Sequence, residues 1–155
     1  MIATATRSIA LAGAILVLGA VNYSIAAKER VIARGEIAFL ELAPVDPRSL
    51  MQGDYMALRF RLADGIDPAD RHRRRINLRL DERRVATLSA SDEPGALQMR
   101  YRVRNGQVWL GTNAYFFEEG SAARFAPARY GEFRVDGKSG EAVLVGLRDE
   151  QLRRL

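Results

Sequence analysis

Residues 97–110 read Leu97-Gln98-Met99-Arg100-Tyr101-Arg102-Val103-Arg104-Asn105-Gly106-Gln107-Val108-Trp109-Leu110. Leu97, Met99, Tyr101 and Val103 alternate with Gln98, Arg100, Arg102 and Arg104. That period of two turns one face of a strand to a core and the other to water. Asn105-Gly106 supplies the two residues tolerant of positive φ that a type I′ turn requires, so the stretch predicts a β-hairpin.

The same alternation appears upstream. Met56, Leu58, Phe60 and Leu62 alternate with Ala57, Arg59 and Arg61, and Ile76, Leu78 and Leu80 with Asn77 and Arg79 after Arg75. Downstream, Phe133 and Val135 face Val143 and Val145 across the turn Asp136-Gly137-Lys138-Ser139-Gly140, a second hairpin. Between the hairpins, Ser121 to Tyr130 reads as a short helix or irregular turn, interrupted by Pro127 and closed by Gly131. The expected fold is mainly β: a compact antiparallel β-sheet or barrel-like domain with one short helix, over residues 28–155. A chain of that size buries about two-thirds of its unfolded surface.

Residues 9–27 form a different unit, preceded by a short segment, 1–8. No charged side chain occurs from Ile9 to Ala27, and Ile9 to Val21 is apolar or glycine throughout. A helix of that length reaches about 28 Å, close to the ~30 Å hydrocarbon core of a bilayer. The segment reads as a transmembrane signal anchor whose end Asn22-Tyr23 suits the interface. A competing reading is a cleaved signal peptide, since Ser24-Ile25-Ala26 suits a cut before Ala27. Lys28, Arg30 and Arg34 after the helix outnumber Arg7 before it, which opposes export, although long domains translocate regardless of loop charge.

Composition removes much chemistry. The chain has 155 residues, no Cys, and one His, His72. Cys/His zinc sites, iron–sulfur clusters, a Cys nucleophile, disulfides and multi-histidine metal sites are therefore ruled out, and no cofactor or metal is expected. The net charge is +5, and residues 28–155 hold 23 basic against 19 acidic side chains. Arg71-His72-Arg73-Arg74-Arg75 is a basic cluster, and Arg100, Arg102 and Arg104 share one strand face. Asp64, Asp67 and Asp70 precede the cluster and no nucleic-acid module accompanies it, so no nucleic-acid partner is expected. For a tethered domain, anionic lipid headgroups suit these charges better. Gly137-Lys138-Ser139 is not a phosphate-binding P-loop, because Glu132 stands where its earlier glycine belongs.

The stretch from Pro44-Val45-Asp46-Pro47-Arg48 through Gly53-Asp54-Tyr55-Met56-Ala57-Leu58-Arg59-Phe60 is a proline-stiffened turn followed by Gly-Asp opening a strand. It resembles the GDYXXLXY-domain family of bacterial membrane-anchored proteins, with Gly53, Asp54, Tyr55 and Leu58 on the name motif and Phe60 in place of its final Tyr. Lys28-Glu29, Pro44 to Leu50, Tyr115 to Gly120, Ala128 to Glu132 and Leu144 to Leu147 share the likeness. The resemblance implies location and architecture rather than an activity. It also implies a partner in the membrane, since members occur beside multi-spanning membrane proteins.

Two features within these stretches have competing readings. Asp54 is either a turn carboxylate that accepts backbone N–H groups or pairs with Arg48, or a binding or acid/base carboxylate alongside Asp46; the turn role is favoured. Tyr115-Phe116-Phe117 is either sheet packing or a partner-binding strip, and at least one of the three should look away from the core or sit at a bulge. The candidate interaction residues are Pro44, Asp46, Pro47, Arg48, Gly53, Asp54, Tyr55, Leu58, Tyr115, Phe116 and Phe117.

The order from Ser49-Leu50 to Gly53-Asp54-Tyr55-Met56 also resembles the strand entry of signal-peptidase-type serine proteases. That register places Val45 at the nucleophile, and neither Lys28 nor Lys138 is suited to act as base. The expectation is a non-catalytic accessory domain. It would be held in the inner membrane by its helix, face the periplasm and partner an integral membrane protein. The alternatives are a degenerate hydrolase of that type and a binder of anionic lipid or nucleic acid.

Overall fold

The computed structural model describes residues 2–43, 51–52, 55–69, 74–89 and 95–155. Helix α1 spans Ile2–Arg34. It does not end at Asn22-Tyr23, where the sequence suggested an interface boundary. Asn22 instead turns its side-chain amide back to the Leu18 carbonyl at 2.8 Å, and Arg30 does the same to Ala26 at 3.2 Å. Both polar side chains are thereby absorbed into the helix. After Gly19 no proline or glycine occurs until Gly35. The segment Ala10–Arg34 is long and apolar enough to cross a membrane; an 18-residue stretch of it has a mean hydropathy of 1.8, and none of that stretch is buried against the domain.

The strands are β1 (Glu36–Glu41), β2 (Met51–Gln52), β3 (Tyr55–Ala57), β4 (Arg75–Leu80), β5 (Ala86–Leu88) and β6 (Leu97–Arg100). They continue with β7 (Arg102–Arg104), β8 (Gln107–Trp109), β9 (Ala114–Phe116), β10 (Tyr130–Val135) and β11 (Ala142–Arg148), with the short helix α2 (Ala122–Phe125) between β9 and β10. The domain is mainly β, and among the described residues the strands divide into three three-stranded sheets, β1-β10-β11, β2-β3-β9 and β5-β4-β6, and the hairpin β7-β8. Every strand pair is antiparallel. Isolated bridges from Phe39 to Val85 and from Leu42 to Phe60 stitch β1 to its neighbours.

Both hairpins form. Asn105 and Gly106 have φ of 50° and 72°, and Val103 faces Val108. In the second, Phe133 lies opposite Leu144 and Val135 opposite Ala142, with the register shifting at Glu132/Phe133. Val143 and Val145 are consequently half-buried, and Leu147 is the fully buried residue of β11.

Three local expectations change. The alternation from Met56 to Leu62 keeps its burial parity, with all four apolar residues inside, but the strand ends at Ala57 and Arg61–Gly65 form a 3-10 turn. The run from Leu97 to Arg104 is cut at Tyr101. Its ring is buried and its N–H donates to the Arg74 carbonyl at 3.1 Å, so β6 pairs with β4 while β7 leaves to pair with β8. Gly131 lies inside β10 rather than closing a helix, and a Cβ there would come within 2.9 Å of the Phe60 ring.

One core joins the sheets, and Leu40, Leu78, Met99, Leu110, Phe133, Val135 and Leu147 are its largest fully buried side chains. Phe60 meets Phe133 edge-on, with centroids 5.2 Å apart. Buried Glu132 is paired with Arg148, whose Nε donates at 2.7 Å and whose guanidinium lies 6.0 Å from the Phe39 ring centroid.

The helix is seated on this domain at its last turn. Val31 is buried, the Gly35 N–H donates to the Val31 carbonyl at 2.8 Å, and Arg134 Nη1 donates to the Gly35 carbonyl at 3.2 Å. Lys28 forms an ion pair with Glu141. A Cβ on Gly35 would sit 2.4 Å from the Val31 carbonyl oxygen and 3.0 Å from the Val135 nitrogen, both backbone atoms that cannot swing aside. Gly35→Ala should therefore lower stability by roughly 1–3 kcal/mol through overpacking. Thermal melting of the detergent-solubilised chain checks this; an unchanged Tm would show that the junction is loose.

Candidate functional site

Pro44, Asp46, Pro47, Arg48, Gly53 and Asp54 lie outside the described residues, as do Val45 and Ser49. The remaining candidates are brought together. Tyr55 on β3 is the register partner of Phe116 on β9, with ring centroids 5.8 Å apart, and Met56 pairs with Tyr115. The strand motif and the aromatic strip are thus adjacent strands of one sheet, a contact that no local pattern announces.

Within that sheet the roles separate. Leu58 is buried, and its N–H donates to the Asn113 carbonyl at 2.7 Å. Tyr115 and Phe117 both pack on Phe125 of α2, at 5.3 and 5.1 Å between centroids. Phe116 points the other way and is 75% exposed, as expected of three consecutive aromatics on a strand. Half-buried Tyr55 flanks it, so Tyr55 and Phe116 form an exposed aromatic pair while Leu58, Tyr115 and Phe117 serve packing.

Two clefts flank the β7–β8 hairpin. One of about 400 Å³ lies between the 3-10 turn and β8, lined by apolar Phe60, Ile66 and Leu110 together with Arg59 and Asp64, which pair with each other at 2.6 Å. The other, of about 500 Å³, collects Arg100, Arg102 and Arg104 with Lys28 and Arg74. The arginine face was legible in the sequence; the arrival of Lys28 from the helix was not. Among the described residues, no group of three or more His, Asp or Glu side chains is placed to hold a metal ion. Lys28 is engaged by Glu141, and Lys138 is exposed in its turn.

That turn supports the second cleft. Asp136 Oδ1 accepts the N–H groups of Lys138 at 2.8 Å and Ser139 at 3.3 Å, and the Gly140 carbonyl accepts the Arg100 N–H at 2.7 Å. The Lys138 N–H, then that of Ser139, holds the Asp136 carboxyl below its ordinary value. A folded-state pKa below the unfolded one gives stability that is present at neutral pH and lost as pH falls through the folded value. Asp136→Asn should therefore destabilise the chain at pH 7, with the difference from wild type shrinking below about pH 4. Melting curves across pH test it; a difference that stays constant with pH would refute a charge-based role.

A comparison with curated proteins finds no match, nor does one with solved structures. The model of the GDYXXLXY protein family matches residues 17–147, from the middle of α1 to the end of the β11 core. The burial of Leu58 and Phe60 and the placing of Tyr55 against β9 give the motif's described positions a structural role. With the second half of the helix, the motif strand and nearly all of both hairpins inside the matched range, the chain belongs to the GDYXXLXY protein family.

Proposed function

We propose that the chain is a bitopic protein of the bacterial inner membrane, anchored by α1, whose β-rich domain faces the periplasm and acts by binding an integral membrane protein rather than by catalysis. The observation that carries this reading is the state of the helix. Leu11, Ile15, Leu16, Val17 and Leu18 are all about three-fifths or more exposed, and none of the 18-residue apolar stretch of the helix is buried against the domain. An all-round apolar helix left bare by its own domain requires another apolar environment. Its last turn is held on β10 and β11, so the domain stands at the membrane surface. There, the exposed Tyr55–Phe116 pair is a suitable contact for a partner's extramembrane segment.

Photoreactive residues placed at Tyr55 and Phe116 in the membrane-embedded full chain test this reading. Crosslinks to one integral membrane protein are expected from both positions, and none from exposed Lys138 on the Asp136 turn. Equal labelling from all three positions, or recovery of soluble proteins alone, would refute a specific membrane partner. A C-terminal alkaline-phosphatase fusion should be active, and an inactive fusion would place the domain in the cytoplasm.

A further inference from the structure

We propose that the cleft between the end of α1, β6 and the β7–β8 hairpin binds the phosphate of an anionic phospholipid headgroup. Lys28, Arg74, Arg100, Arg102 and Arg104 line it with a single carboxylate, Glu141. Glu141 is taken up by Lys28. The four arginines form no ion pair with any other described residue, although other arginines of the domain do, including Arg59, Arg61, Arg84, Arg148 and Arg153. Four like charges around one space repel one another until an anion enters, and a guanidinium offers paired N–H groups that match two phosphate oxygens.

The fold holds these groups in place. The alternation of residues 100, 102 and 104 survives the strand break because Tyr101 and Val103 take the inward positions. Arg104 is held over the Trp109 ring, 5.1 Å from its centroid. The Arg100 backbone is fixed to Gly140, where φ is +73° and a Cβ would come within 2.9 Å of the Arg100 side chain. Glycine there supplies both the turn and room for the arginine stem.

A phosphate ester is the shared chemistry of lipid headgroups and soluble metabolites, and position favours the lipid. Lys28 directly follows the apolar run ending at Ala27, so this wall of the cleft starts within one helical turn, about 5.4 Å, of the hydrocarbon boundary. The headgroup layer on each side of a bilayer is about 5–8 Å deep, from a ~30 Å core within a ~40–45 Å total. The inference rests on the anchor reading for the position of the bilayer. It goes beyond that reading in assigning a ligand.

Trp109 is the chain's single tryptophan and lines the cleft, so its emission reports occupancy. The full chain is placed in phosphatidylcholine nanodiscs and in discs with increasing phosphatidylglycerol. The expected result is a saturable emission change that weakens with salt. Arg100→Gln/Arg102→Gln should need roughly twenty-five-fold more phosphatidylglycerol, at about fivefold per charge removed. Arg102→Lys, which keeps the charge, should retain most of the response and shows that the fold is intact. Unchanged emission in discs with which the chain co-elutes overturns this proposal alone; failure to co-elute overturns it together with the anchor reading. A response to glycerol 1-phosphate in phosphatidylcholine discs without one to phosphatidylglycerol, or tighter binding of a single-stranded oligonucleotide, overturns the lipid assignment.

Discussion

Gly35 is the point at which an exposed apolar helix becomes a strand of a folded domain. Its N–H closes the last helical turn on Val31, its carbonyl accepts from Arg134, and β1 begins at the next residue, with Glu36 opposite Val135. No side chain fits between the Val31 carbonyl and the β10 backbone. Because β1 pairs along the whole of β10, a contact between distant parts of the chain, the helix is tied to the middle strand of its sheet. The direction in which the helix leaves therefore follows from the same hydrogen bonds that build the central sheet.

That geometry gives the domain two different surfaces. Exposed Phe116 and half-buried Tyr55 form an aromatic pair, with Tyr115 and Phe117 packed on Phe125. The other surface is basic, beside the helix end, with one of its five cations already neutralised by Glu141. An aromatic pair suits a protein contact, and clustered guanidinium groups suit a phosphate. Both are consistent with a domain that works at a membrane surface by recognition.

Much of the architecture was readable locally. The apolar run, the Asn105-Gly106 turn and the turn between β10 and β11 depend on neighbours within a few residues; both turns form as read, and the run is helical, although the helix continues to Arg34. Continuous strands were harder to bound. The Met56 to Leu62 and Leu97 to Arg104 patterns keep their buried parity but break at Ala57 and Tyr101, because the chain has to pass from one small sheet to another there. Alternation records which side chains go inside; it does not record where the hydrogen-bond partner changes.

Composition and local pattern suffice for the class of the molecule: an apolar helix followed by a mainly β domain of the GDYXXLXY family, without thiol or multi-histidine chemistry. The tertiary structure alone decided which residues share a surface. Tyr55 meets Phe116, and Lys28 lines one cleft with Arg74 and Arg100, across separations that no helical or strand period spans. Period and turn chemistry are properties of adjacent residues, whereas strand pairing is selected by burial of one common core, in which Leu40, Phe133 and Leu147 must all leave water together.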